Sequence, residues 1–121
     1  MEACILHVLE FASILWGAII MNKHAAIVTF TAALGKGDEV ARLIAAALPQ
    51  AHQETGMPLW LVLQAENNRD TVHIVDIFNS EADRAAHLQL GTAAQIIATV
   101  PPHLAAPLDI APMQVYAAKG L

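Results

Sequence analysis

From residue 24 onward the apolar positions of the chain switch between two rhythms, alternate residues in some stretches and roughly 3.6-residue spacing in others, and the switches mark its elements. AAIVTFTA, residues 25–32, is short, β-branched and aromatic, the profile of a strand. LGKGD then breaks it with two glycines. In the following DEVARLIAAALPQAHQET, Val40, Leu43, Ile44, Ala47 and Leu48 recur at helical spacing and give one core-facing stripe. Asp38 suits either the N-cap or the first turn of that helix, where a carboxylate complements the helix dipole. Pro49 lacks an N–H and crowds the turn before it, so the helix should kink or end there. PLWLVLQAE, residues 58–66, alternates as a second strand, with Leu59, Leu61 and Leu63 on one face and Trp60, Val62 and Gln64 on the other. NNRD is a compact turn, which makes an antiparallel hairpin with TVHIVDIF, residues 71–78, the natural pairing. Ser80, with Asp83 three residues later, is a variant of the capping box. It opens a second helix through Ala82, Ala85, Ala86, His87, Leu90, Ala94 and Ile97, which Gly91 could split in two, and Pro101-Pro102 ends it. LDIAPMQVYAAK, residues 108–119, supplies a last strand, in which Pro112 signals an edge, a bulge or an interruption.

The order is β-α-β-β-α-β, an α+β arrangement of the ferredoxin-like, split βαβ type: a four-stranded antiparallel sheet with helices on one face. The other sheet face is also apolar by alternation and needs cover, which argues for a homodimer formed sheet to sheet.

Composition narrows the picture. At 121 residues the chain suits one domain with one core. It is 56% hydrophobic and 14% charged, which argues against disorder and for an oligomer interface, an enclosed apolar pocket or a membrane segment. The six Lys and Arg residues are scattered in a chain of net charge −5, so no basic stripe exists to neutralise phosphates and no nucleic-acid partner is expected. Cys4 is alone, which excludes an intrachain disulfide and a Cys-rich zinc site and is compatible with a cytoplasmic location. HxH, HExxH, GxGxxG, phosphate-loop and GxSxG patterns are all missing, so neither a metal, a nucleotide cofactor nor Ser-type hydrolysis is expected.

Residues 1–22 form an apolar extension set apart from a domain at 23–121. The run MEACILHVLEFASILWGAII carries Glu2 and no basic residue before Lys23, which does not fit a signal peptide. A spanning helix needs roughly twenty apolar residues, and this run reaches that length only with His7 and Glu10 inside it. Three readings stay open: an upstream-start extension with Met21 the working start, which is preferred; a helix docked on an apolar surface; or a membrane anchor with Lys23 on the cytoplasmic side.

Candidate chemistry concentrates in IVDIFNSEADRAAHL, residues 74–88. Strand parity puts Val72, Ile74, Asp76 and Phe78 on one face and His73, Val75 and Ile77 on the other. Asp76 therefore has apolar neighbours, and if its face meets the helices the carboxylate should be paired or raised in pKa. On the second helix His87 aligns with Leu90, Gly91 and Ala94. The turn at Asn79-Ser80 folds that helix back and brings Asp76 and His87 toward one cavity. Such a pair suits proton removal: His87 as base, because an unperturbed imidazole titrates near ~6.5, and Asp76 orienting it or tuning it. Trp60 and Phe78 would wall a flat aromatic ligand, with Phe30 and Leu90 completing the substrate-binding set. Structural alternatives stand beside these roles. His87 could bond a backbone group, Asp76 could pair with Arg84 or backbone N–H groups, and Trp60 and Phe78 could be core or interface residues.

Three segments, VTFTAALGKGDEVARLIAAALPQ, VDIFNSEADRAAHL and PMQVYAAKG, resemble the antibiotic biosynthesis monooxygenase domain family, including its quinol monooxygenase-like members, over residues 24–120. The most recognisable element is an acid, one residue, an aromatic, a turn, and a helix with Ala-His: here Asp76, Phe78, Asn79-Ser80 and Ala86-His87. Many members have Glu and Trp where this chain has Asp76 and Phe78. The resemblance implies a dimeric α+β barrel with a small apolar cavity in each subunit. It also implies a small cofactor-independent monooxygenase that oxidises a phenolic or quinol-like aromatic with O2. The alternatives are a non-catalytic dimeric module that binds small aromatic molecules, and a haem-degrading monooxygenase. The haem reading is weakened because His87 stands where some haem-degrading relatives have Trp, and Ile97, ten residues on, offers no imidazole.

Overall fold

The computed structural model describes residues 23–121; the expected extension at 1–22 lies outside the described residues. The elements are β1 (His24–Thr31), α1 (Gly37–Ala45), α2 (Leu48–His52), β2 (Leu59–Gln64), β3 (Thr71–Phe78), α3 (Glu81–His87), α4 (Gly91–Thr99), a 3-10 turn at Pro101–His103 and β4 (Asp109–Gln114). The strands form one antiparallel sheet in the order β2-β3-β1-β4, which is the ferredoxin-like α+β topology. Among the described residues no helix is long and apolar enough to cross a membrane.

Each break in the helical pattern has a local cause. Pro49 does not kink a long helix. It sits in the first turn of α2, where its missing N–H would have had no intrahelical partner. Asp38 is a first-turn acid rather than a cap, and its carboxylate accepts from Arg69 and Gln64. The start of α1 is capped from a distance: the Asp70 carboxylate accepts the N–H groups of Gly35 and Gly37 at 3.0 and 2.9 Å. That approach demands glycine at position 37, since a Cβ there would lie 1.7 Å from the Arg69 carbonyl oxygen. Ser80 accepts the Asp83 N–H at 3.0 Å, as expected, but the Ser80 hydroxyl donates to the Asp83 carboxylate, at 2.9 Å, instead of a reciprocal capping box closing on the Ser80 N–H. Leu90 is extended, so the second helical segment is two helices, with Gly91 opening α4.

The last strand is shorter than residues 108–119 suggest and stops at Gln114. It is an edge strand, bonded only to β1, and so it tolerates Pro112. Register lines up Trp60, Asp76, Ala26 and Pro112 in one row across the sheet. On this face Phe30, Val72 and Ile74 pack against Val40 and Ile44 of α1 and Ile96 of α4 to form the main core. The opposite face carries Leu59, Leu61, Leu63, Val75, Ile77, Ile27 and Met113. Val115 and Ala118 cover one end of it, against Ala25, Ile77 and Leu59, while Leu61, Leu63 and Met113 stay exposed.

Candidate active site

The helix-covered face is not packed solid. A cavity of about 340 Å³ lies over β3, β1 and β4, walled by Val28, Phe30, Ile74 and Phe78 from the sheet and by Ile96 and Ile97 from α4. Asp76 and His87 both border it, together with Arg84 and Glu81. Alternation along β3 explains the position of Asp76: with Val72, Ile74 and Phe78 turned to the helices, residue 76 must follow them, and it is only 2% exposed. His87 comes from the last turn of α3, which the Asn79-Ser80 turn has folded back over the sheet; its ring lies 5.2 Å from that of Phe78, tilted by 56°.

The imidazole stands between two carboxylates. Nε2 is 3.6 Å from Asp76 Oδ2, and Nδ1 is 2.6 Å from Glu54 Oε1. Thr92, fully buried at the start of α4, donates its hydroxyl to the other Glu54 oxygen. Asp76 Oδ1 is buried with no hydrogen-bond partner among the described residues. Burial pushes the Asp76 carboxyl up to about 6; His87 opposes the rise, the Glu54 charge adds to it, and the backbone N–H groups of Ala26 and Asp76 oppose it. Arg84 does not neutralise Asp76. Its Nη1 donates to the Ala25 and Met113 carbonyls at 3.0 and 3.1 Å, tying α3 to β1 and β4.

Of the six residues singled out from sequence, Asp76, His87, Phe78 and Phe30 share the cavity wall, while Trp60 and Leu90 do not border it. Trp60 is on β2, the sheet edge remote from β4, and it packs with Ala51 and Met57 beneath α2. Leu90 is turned outward by the extended residue before α4, is 42% exposed, and borders a separate hollow near Gln50 and Gly91. Sequence reasoning missed Glu54 and Thr92. Glu54 lies 33 positions from His87 in an irregular stretch after α2, where no periodicity marks a functional side chain; its one sequence signal is an acid just beyond a proline-started helix. Among the described residues no cluster of three or more His, Cys, Asp or Glu side chains is arranged to hold a metal ion.

No family model matches the chain, and no curated protein matches it. Solved structures do. A Nitrosomonas europaea protein of unknown function is 34% identical, with a TM-score of 0.75 over 83% of this chain and 95% of its own. A candidate antibiotic biosynthesis monooxygenase from Nitrosomonas europaea is 17% identical, with a TM-score of 0.73 over 82% and 95% of the two chains. An antibiotic biosynthesis monooxygenase at 11% identity gives 0.68 over 78% and 99%. The chain thus shares the ferredoxin-like α+β fold of these antibiotic biosynthesis monooxygenase structures. More particularly, the chain belongs to one family with the 34%-identical Nitrosomonas europaea protein.

Proposed function

We propose that this protein is a small cofactor-independent monooxygenase that oxidises a phenolic or quinol-like aromatic with O2. The observation that carries the proposal is the Asp76–His87 pair at the wall of a largely apolar cavity, with one Asp76 oxygen unpartnered among the described residues. The volume sits at the small end of the roughly 300–1,000 Å³ of ligand pockets, suited to a substrate of one or two rings. Phe30 and Phe78 supply aromatic wall.

The chemistry needs little from the protein. Neutral phenols react poorly with O2, and phenolates react far better, so the decisive step is removal of a hydroxyl proton in a dry site. Asp76 and His87 Nε2 face one another across 3.6 Å. That is too far for a direct hydrogen bond; with Asp76 ionised and Nε2 unprotonated two acceptors confront each other, and a substrate hydroxyl relieves that conflict by donating to Nε2. The phenolate then passes electrons to O2, a C–O bond forms, and the O–O bond breaks. For a hydroquinone the products are a hydroxyquinone and water, and the substrate supplies all four electrons that reduce dioxygen. We further propose a homodimer that joins the uncovered sheet faces, supported by the exposed Leu61, Leu63 and Met113 side chains.

An oxygen electrode with metal-stripped protein and a panel of hydroquinones tests the reading. Oxygen uptake is expected without added metal or flavin, with His87→Ala reducing it by about 100-fold or more. Unchanged turnover in that variant removes the proposed base. Saturable binding with no oxygen uptake from any of the panel replaces the oxygenase with a binding module.

A further inference from the structure

We infer that Glu54, backed by Thr92, is the positioning residue that sets the tautomer of His87 and so decides which ring nitrogen serves the cavity. This rests on the reading of Asp76 and His87 as the acid–base pair. The geometry is specific. An ionised carboxylate only accepts hydrogen bonds, so the 2.6 Å contact between an ionised Glu54 Oε1 and His87 assigns the proton to Nδ1. The neutral ring then has its free lone pair on Nε2, the nitrogen that faces Asp76. In water a neutral histidine favours the opposite tautomer, with the proton on Nε2. That form would aim an N–H at Asp76 and leave no imidazole lone pair for a substrate proton.

The contact joins three parts of the fold that are distant in sequence: the segment after α2, the end of α3 and the start of α4. The Glu54 and His87 side chains are 7% and 11% exposed, so solvent competes little for the bond. Thr92 occupies the second carboxylate oxygen and holds Glu54 in place. Glu54 does not border the cavity, so it acts through His87 and touches no substrate. When Nε2 takes a substrate proton, the imidazolium keeps its Nδ1–H on Glu54, whose charge compensates it, as the acid of a catalytic triad compensates its histidine. Asp76 from β3 faces the ring, and Arg84 and Glu81 of α3 border the same cavity; the Arg84 guanidinium is already engaged by two carbonyls.

The test needs no substrate. Nitrogen NMR of imidazole-labelled full-length protein across the pH range reads the His87 tautomer, with carboxyl NMR following Asp76. Wild type is expected as the Nδ1–H form when neutral. Glu54→Gln should keep that tautomer, because its amide oxygen accepts the same bond, while Asp76 titrates at lower pH for want of the neighbouring charge. Glu54→Ala should shift the proton to Nε2. A wild-type ring protonated on Nε2, or a Glu54→Ala ring still protonated on Nδ1, overturns the assignment. Should Glu54→Ala fail to fold, the wild-type and Glu54→Gln spectra still decide it. A wild-type protein with the Nδ1–H ring but no quinol turnover would end the oxygenase reading and leave the positioning role standing.

Discussion

The two faces of the sheet are written in the same alphabet and end differently. Each strand places apolar residues on both sides, and each face carries one histidine bonded to a polar neighbour. On the helix side His87 lies between Asp76 and Glu54. On the open side His73 Nδ1 lies 3.1 Å from the Thr29 hydroxyl across the β1–β3 pairing, both residues half-buried. Helices close over the first pair and leave an apolar hollow beside it; among the described residues nothing closes over the middle of the second face. The contrast teaches that alternation decides which residues share a face, whereas cover decides what a titratable group does there. Burial lifts Asp76 toward neutrality, whereas an exposed carboxylate in the same strand would stay near its ordinary value.

Three substitutions probe the contrast, from the strongest effect to the weakest. Phe30 is 1% exposed at the heart of the covered face. Phe30→Ala should cost about 3–5 kcal/mol by creating a cavity larger than the core can collapse, read as a fall in the denaturant midpoint at constant slope. A loss below about 1 kcal/mol would mean that the covered face is not the stabilising one.

Asp76→Asn comes next. The carboxyl is raised from 3.8 to about 6 in the fold, so its neutral form is the better folded one. Its favourable contribution is complete below pH 3.8 and lost as the pH rises through about 6. The loss is on the order of 3 kcal/mol, taking ~1.4 kcal/mol per pKa unit. The asparagine variant should therefore match wild type near pH 4 and have the higher melting temperature at pH 7.5. Parallel stability–pH curves would contradict the burial assigned to this carboxyl.

Leu61→Glu, on the open face, should change the stability of a single subunit by no more than about 0.5 kcal/mol, because the leucine is 43% exposed. It should instead halve the mass seen by sedimentation. If wild type already sediments as a monomer, the open face is open in solution too, and the proposed dimer falls.

Much of this was legible from local pattern. The hairpin of β2 and β3, the parity that groups Asp76 with Phe78, and the Ser80 cap depend on neighbours within a few residues, and there the one-dimensional signal is strong. Pro49 announced a break but not that it would start a new helix. Trp60, expected as an aromatic wall for the ligand, does share a row with Asp76, but the strand order β2-β3-β1-β4 puts it under α2, away from the cavity. Leu90 followed a helical stripe that the Gly91 break does not preserve.

What the sequence determined by itself is the order of strands and helical regions and the face of each strand residue, because backbone sterics and two short periods settle those within a few residues. The tertiary structure decided which distant groups meet: Glu54 with His87 over 33 positions, Thr92 with Glu54 over 38, and Asp70 with the start of α1. Those contacts follow from how four helical segments settle on a twisted sheet. That packing minimises exposed apolar area summed over the whole chain, and no stretch of a few residues carries a record of the sum.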